Sequence, residues 1–251
     1  MSRDADEQFA VSVGDPGRHA VADFSPNSRS LLILFGGIAG GVSMPVFEFF
    51  RVTAGYPVKR LFLRDPLRAW YLRGLPGVGT DAAALAGALR GTIAAAGVER
   101  VVMAGASAGG FAAVLFGSWL RVDRVIAFSP QSFVDAPNRR AAGDDRWAEQ
   151  IAALHGALGP EHALYDLRGR LAGSDPLPAL ELHVGGGDAL DVAHARRLAD
   201  LPGATLVEYD GGGHRLVRWL RDSGRLEPIL LHALGLVDDG RSGAGGGDRA
   251  D

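Results

Sequence analysis

Short runs that are apolar at nearly every position, separated for the most part by helical patterns, constrain this chain more than any other feature. "LLILF" (31–35) is the clearest, an unbroken apolar run stopped by glycines. A strand exposed on one face alternates; one buried on both faces does not. "VKRLFL" (58–63), "RVVMAG" (100–105), "RVIAFS" (124–129), "LELHV" (180–184) and "TLVEY" (205–209) repeat the pattern. Helices are expected between them. "DAAALAGALRGTIAAAG" opens at Asp81 as an N-cap and closes at Gly97 as a left-handed C-cap. "AGGFAAVLFGSWL" follows Ser107 directly, and "DVAHARRLAD" opens at Asp191, well placed as a cap. Alternation of this kind predicts an α/β fold, a mostly parallel central sheet with helices on both faces. "FAVSV" and "HAVADF", flanking "GDPGR", predict an antiparallel hairpin at one edge. The alternation lapses at 130–178, which is expected to form a short cap-like insertion.

Composition narrows the function classes. The 251 residues are 47% hydrophobic and 22% charged, with a formal net charge of −3. Residues 9–236 are expected to form one domain, between a polar N-terminal segment (1–8) and a disordered Gly/Asp-rich tail (238–251). No basic excess supports a nucleic-acid partner. The absence of cysteine excludes thiol catalysis, disulfides and Cys-ligated zinc. The opening "MSRDADEQFA" has no apolar signal core, and no run approaches about 18 apolar residues. A cytoplasmic protein with no membrane partner is therefore expected; its oligomeric state is left open.

The chemistry centres on "VVMAGASAGGF" (101–111). Gly-x-Ser-x-Gly alone is weak, since chance supplies about 0.3 matches in a chain with 36 glycines. Its context is stronger: an apolar strand enters, Gly105 and Gly109 flank Ser107, and an apolar helix leaves at once. A nucleophile elbow needs this arrangement, because the pinched backbone leaves no room for larger residues at the flanking positions. The competing reading of Ser107 is a helix N-cap.

A nucleophilic serine needs a base, and the base an orienting carboxylate. Of seven histidines, His183 falls in a strand pattern and His155, His194 and His232 in helical ones, while His19 and His162 lie in loop-like or edge surroundings. His214 follows the last strand behind three glycines, where a side chain can reach across the sheet edge. Asp188 and Asp191 follow the preceding strand. Asp191 already has a structural role as a helix cap, so Asp188 is favoured as the acid. Oxyanion donors are expected from the N–H of Ala108 and from the loop "FGGIAGG", with Ile38 slightly preferred over Gly37.

In this order, glycine loop, "GASAG", Asp188, His214, the chain resembles the α/β-hydrolase superfamily over residues 9–236. Its early loop lacks the His-Gly-Gly-Gly form of the hormone-sensitive-lipase-like branch. The resemblance implies a serine hydrolase cleaving a small-molecule ester or thioester through an acyl-enzyme, with catalytic Ser107, Asp188 and His214 and no metal or organic cofactor. The same machinery would serve an acyltransferase. Activity is expected to rise through an apparent pKa of about 6–7 as the histidine base becomes neutral. Trp70, Tyr71 and Phe133 follow strand ends and are candidates for an apolar acyl site, with core packing as the alternative. Arg139, Arg140 and Arg146 could meet an anionic substrate or lie exposed without a role.

Two rival readings differ in class. A dinucleotide-binding oxidoreductase would use "LLILFGGIAGG" as its phosphate loop and Asp65 as its ribose-binding acid. However, Ile38 stands where the second glycine belongs, and Ser107, Asp188 and His214 become coincidences. A non-catalytic binding protein of the same fold would be expected to have lost a triad member, whereas all three positions are filled.

Overall fold

The computed structural model describes residues 15, 17–38, 49–174 and 176–237. The N-terminal segment 1–8, the "FAVSV" half of the expected hairpin and the tail 238–251 lie outside them. Seven strands form one sheet: β1 (Ala20–Asp23), β2 (Ser30–Phe35), β3 (Lys59–Leu63), β4 (Arg100–Ala106), β5 (Arg124–Phe128), β6 (Ala179–Gly185) and β7 (Ala204–Tyr209). Their order is β1-β3-β2-β4-β5-β6-β7. β1 pairs antiparallel with β3 at the edge, and every other pairing is parallel.

The apolar runs are continuous because both sheet faces are covered. Leu31, Ile33 and Phe35 of β2 pack with Leu85 and Phe111 in one core cluster. Leu32 and Leu34 point the other way, into a second cluster with Leu216 and Leu230. The helices on these faces are α1 (Ala82–Ala96), α2 (Ala108–Leu120), α3 (Ala136–Ala142), α4 (Ala148–Leu158), α5 (Leu167–Leu171), α6 (Ala189–Ala199), α7 (Leu216–Asp222) and α8 (Leu226–Leu234). Asp81 caps α1 by accepting the Ala84 N–H, and Gly97 closes it at φ 60°, both as the sequence predicts. None of these helices is long and apolar enough to cross a membrane.

Two features position the site. From β2 the chain moves to β3 on one side, then crosses through α1 to β4 on the other. The connections that leave the carboxyl ends of β2 and β4 therefore run to opposite sides, the place where ligands bind in open α/β sheets. The 130–178 insertion, built from α3, α4 and α5, is seated on the main core: Ile151, Leu154, Tyr165, Leu167 and Leu171 join the same cluster as Phe35 and Phe111.

Candidate active site

Ser107 stands between β4 and α2 at φ 55°, ψ −117°. A non-glycine residue held at positive φ carries strain that the surrounding structure must impose. Here the flanking glycines permit it. A Cβ at Gly105 would strike the Gly109 carbonyl oxygen, and one at Gly109 would strike that of Phe35 and lie 2.8 Å from that of Gly36. β4, α2 and the end of β2 thus meet at backbone contact, which explains why the motif needs glycine on both sides. Phe128 O accepts the Ser107 N–H at 2.9 Å. The Ser107 side chain makes no capping bond, so the N-cap reading does not hold. Its Oγ is buried and, among the described residues, has no hydrogen-bond partner.

The acid differs from the sequence expectation. Asp188, favoured as the triad acid, is the N-cap of α6 and accepts the N–H groups of Leu190 and Asp191. Asp191 is three residues into the helix, and its two carboxylate oxygens lie 3.0 and 2.8 Å from His214 Nδ1. The two roles are exchanged because α6 begins at Ala189 rather than at Asp191. "DALD" then reads as an N-cap followed by an acidic residue at the third helical position. The buried face of α6 comprises Asp191, His194, Ala195 and Leu198. Helical periodicity therefore turns Asp191 inward, and that pattern could have identified it.

His214 lies in a 3₁₀ turn, Gly213–Arg215, after β7. A Cβ at Gly185, where β6 ends, would lie 2.5 Å from the Gly213 nitrogen, so the glycines let this turn close on the sheet edge. The hydrogen bond that its Nδ1–H donates to Asp191 raises the His214 imidazole above its ordinary value despite burial; Arg146 opposes the rise and Asp188 adds to it. Burial pushes the Asp191 carboxyl up, but His214 and Arg146 outweigh it and hold the group below the usual carboxylate range. The ring nitrogen left to face a nucleophile is Nε2. Ser107 Oγ is not hydrogen-bonded to it in this structure, as is common before a substrate draws such pairs together.

Sequence reasoning missed what holds Asp191. Arg146 Nη1 donates to Asp191 Oδ1 at 2.7 Å. The rest of its guanidinium forks onto Asp144, with Nε to Oδ1 at 3.0 Å and Nη2 to Oδ2 at 2.9 Å. Arg146 is therefore paired within the fold and does not await an anionic substrate. Asp188, Asp191 and His214 bring potential ligand atoms within 4.8 Å of one another, but the Arg146 guanidinium bonded to Asp191 and 3.8 Å from Asp188 opposes a cation there.

The three aromatic candidates are corrected too. Trp70 and Tyr71 are fully buried, and Phe133 nearly so. Trp70 Nε1 donates to Gln131 Oε1 at 2.7 Å, and the Gln131 N–H reaches the Ser107 carbonyl oxygen at 3.3 Å. Tyr71 Oη lies 3.0 Å from the carbonyl oxygens of Gly36 and Leu63. Phe133 packs on His194, ring centroids 4.0 Å apart. These residues brace the site's walls and present no surface to a substrate.

Ala108 opens α2, where N–H groups lack intrahelical partners. Gly37 and Ile38 follow β2 beside it, and the rest of that glycine loop, 39–48, lies outside the described residues. Asp65 accepts the N–H groups of Leu67, Ala69 and Tyr71. It anchors its own turn, as expected for an acid before Pro66, and burial raises its carboxyl despite those bonds.

No family model matches the sequence, and no curated protein matches it. Solved structures do. The capsule O-acetyltransferase of Neisseria meningitidis serogroup A is similar at 14% identity and a TM-score of 0.63, over 84% of this chain and 90% of that one. MGS-MChE2, an alpha/beta hydrolase enzyme from a lagoon-sediment metagenome, is similar at 18% identity and TM-score 0.55, over 85% and 94%. Est1E from Butyrivibrio proteoclasticus is similar at 14% and 0.54, over 86% and 94%.

Proposed function

Starting from the α/β-hydrolase fold that these likenesses establish, we propose that this chain is a serine hydrolase cleaving a small-molecule ester or thioester. The observation that carries the reading is Ser107 itself, held at φ 55° with a buried, unpartnered Oγ at the head of α2. A side chain held in a strained backbone with no structural bond to justify it is what a nucleophile requires.

Ser107 Oγ attacks the acyl carbonyl, and its proton passes to His214 Nε2. Donation of Nδ1–H to Asp191 fixes the tautomer that leaves Nε2 free to accept, and stabilises the imidazolium that forms. The Ala108 N–H, with that of Ile38 or Gly37, faces the oxyanion. His214 then protonates the leaving alcohol or thiol, water attacks the acyl-enzyme, and the acid is released. Asp191 replaces Asp188 as the acid in this scheme. The similarity to an O-acetyltransferase favours a second reading, in which an alcohol takes the place of water.

A fluorophosphonate probe tests the reading. Labelling is expected on the Ser107 peptide alone and to vanish in Ser107→Ala. Because the His214 imidazole is raised, labelling should climb with pH through a midpoint above the ordinary 6.5. A folded protein that does not label, or labels elsewhere, removes the mechanism. Release of acyl groups from ester and thioester substrates, with and without added alcohols, separates the two acceptors.

A further inference from the structure

The insertion contributes a group that the triad alone does not explain. Asp144 and Arg146 lie between α3 and α4, some 45 positions from Asp191 in the chain, yet Arg146 joins the two aspartates. Asp144 is fixed in turn by His194, whose Nε2 lies 2.9 Å from Asp144 Oδ2. The Ser132 N–H reaches His194 Nδ1 at 3.0 Å. A backbone N–H can only donate, so Nδ1 accepts, Nε2 carries the proton, and His194 is neutral. Burial, the largest influence on its pKa, also lowers it. One residue before Ser132, Gln131 touches the Ser107 carbonyl. A buried chain of polar contacts thus runs from the elbow through Ser132, His194, Asp144 and Arg146 to Asp191 and His214.

The charges explain why an arginine is there. Asp144 and Asp191 are both buried, and two buried carboxylates cannot share a corner without a compensating cation. If Arg146 were absent, proton uptake by His214 would be the available compensation, and a base that is already protonated cannot act. A fixed guanidinium, which does not titrate at working pH, takes that role instead. His214 faces Asp191 and Asp188 from α6 and its cap, and Arg146 from the insertion. Arg146 is the cation of that set.

We propose that Arg146, forked onto Asp144, acts through Asp191 as the fixed cation that keeps the His214 base available for proton transfer. This rests on the reading of His214 as the base, so the test has one arm that does not depend on activity. The His214 side-chain resonance, identified by its loss in His214→Asn, is titrated by NMR in the full chain and in Arg146→Gln. The midpoint is expected to move to higher pH. Labelling of Ser107 should be about tenfold slower at pH 7 and recover as pH rises, as expected for a base trapped in its protonated form. Because one lost partner of a buried pair can unfold a protein, the charge-balanced double variant Asp144→Asn/Arg146→Gln is measured alongside, with a smaller rise expected because only the Asp191 carboxylate is left without its cation. A contact that serves only folding would loosen Asp191 from His214 and bring the midpoint down towards 6.5. A midpoint that stays or falls in a folded variant overturns the proposal. If the wild type does not label while the midpoint still rises, the serine chemistry fails and the charge coupling stands.

Discussion

The two sides of the candidate site are built by different means. The elbow is made by backbone: a strand end, the single residue Ser107 and a helix start pressed together at glycines. The acid–base corner is made by side chains from distant segments, Arg146, Asp191 and His214, each held by the next. Backbone sterics act over a few residues and leave a local signature. A charge network acts across the fold and leaves almost none. The contrast also separates two histidines with buried aspartate partners. His194 is bonded at both ring nitrogens and locked neutral, whereas His214 is, among the described residues, bonded only at Nδ1 and is one-third exposed. One is a strut and the other is free to exchange a proton.

The sharpest test of this contrast exchanges the two aspartates. Asp191→Asn keeps the shape of the acid but removes the charge that orients and stabilises the imidazolium. Its turnover of an activated ester is expected to fall by about 10⁴-fold. Asp188→Asn should keep the helix cap, since asparagine caps about as well as aspartate, and change turnover by less than about tenfold. The reverse ranking would return the acid role to Asp188. Equal losses would mean that the corner acts as one electrostatic unit.

The elbow is expected to fail in another way, through sterics. In Gly109→Ala the new methyl would fall on the Phe35 carbonyl, which belongs to the strand end that leads into Gly37 and Ile38, the proposed oxyanion donors. Displacing backbone is costlier than moving a side chain, so a loss of about 1–3 kcal/mol or more in unfolding free energy is expected. Labelling of Ser107 should slow alongside. Chemical denaturation with parallel labelling checks both. A stable variant with unchanged labelling would mean that the contact between elbow and strand end is slack.

Legibility follows the same division. The parallel sheet, the caps of α1 and the elbow are written in local pattern: continuous apolar runs, Asp81 and Gly97, and paired glycines around Ser107; the antiparallel pairing of β1 with β3 is not, since "HAVADF" points to "FAVSV" as its partner. His214 could be picked out by its place after the last strand behind three glycines. The partner of His214 is misassigned from sequence, because a cap placed at Asp191 falls one turn too late along "DALDVAHARRL". Placed at Asp188, the same rule leaves Asp191 on the buried face with His194 and Leu198. Position after a strand end leaves Trp70 and Tyr71 open to two readings, pocket or core. Their positive φ angles, 54° and 61°, fold that loop back into the core, and nothing in the composition of "DPLRAWYLRG" announces it. For Arg146 no local signal exists. Its partners are met only once the insertion has docked.

A smaller effect tests whether the elbow is purely a backbone device. Trp70 Nε1–H donates to the Gln131 side chain, whose backbone N–H reaches the Ser107 carbonyl. Trp70→Phe deletes that donor and strands a buried amide oxygen, which costs about 1–3 kcal/mol, with a further loss from the smaller ring. The double variant Trp70→Phe/Gln131→Leu removes the stranded oxygen as well. If only burial matters, it should recover part of the stability and bring labelling of Ser107 back towards the wild-type rate. If the Trp70–Gln131 bond steers the elbow, stability returns but labelling stays at the slowed single-variant rate, because neither variant keeps the bond that aligns the loop beside Ser107. The second outcome would place a side-chain brace on the elbow too, and reduce the contrast between the two sides from a difference of kind to one of degree.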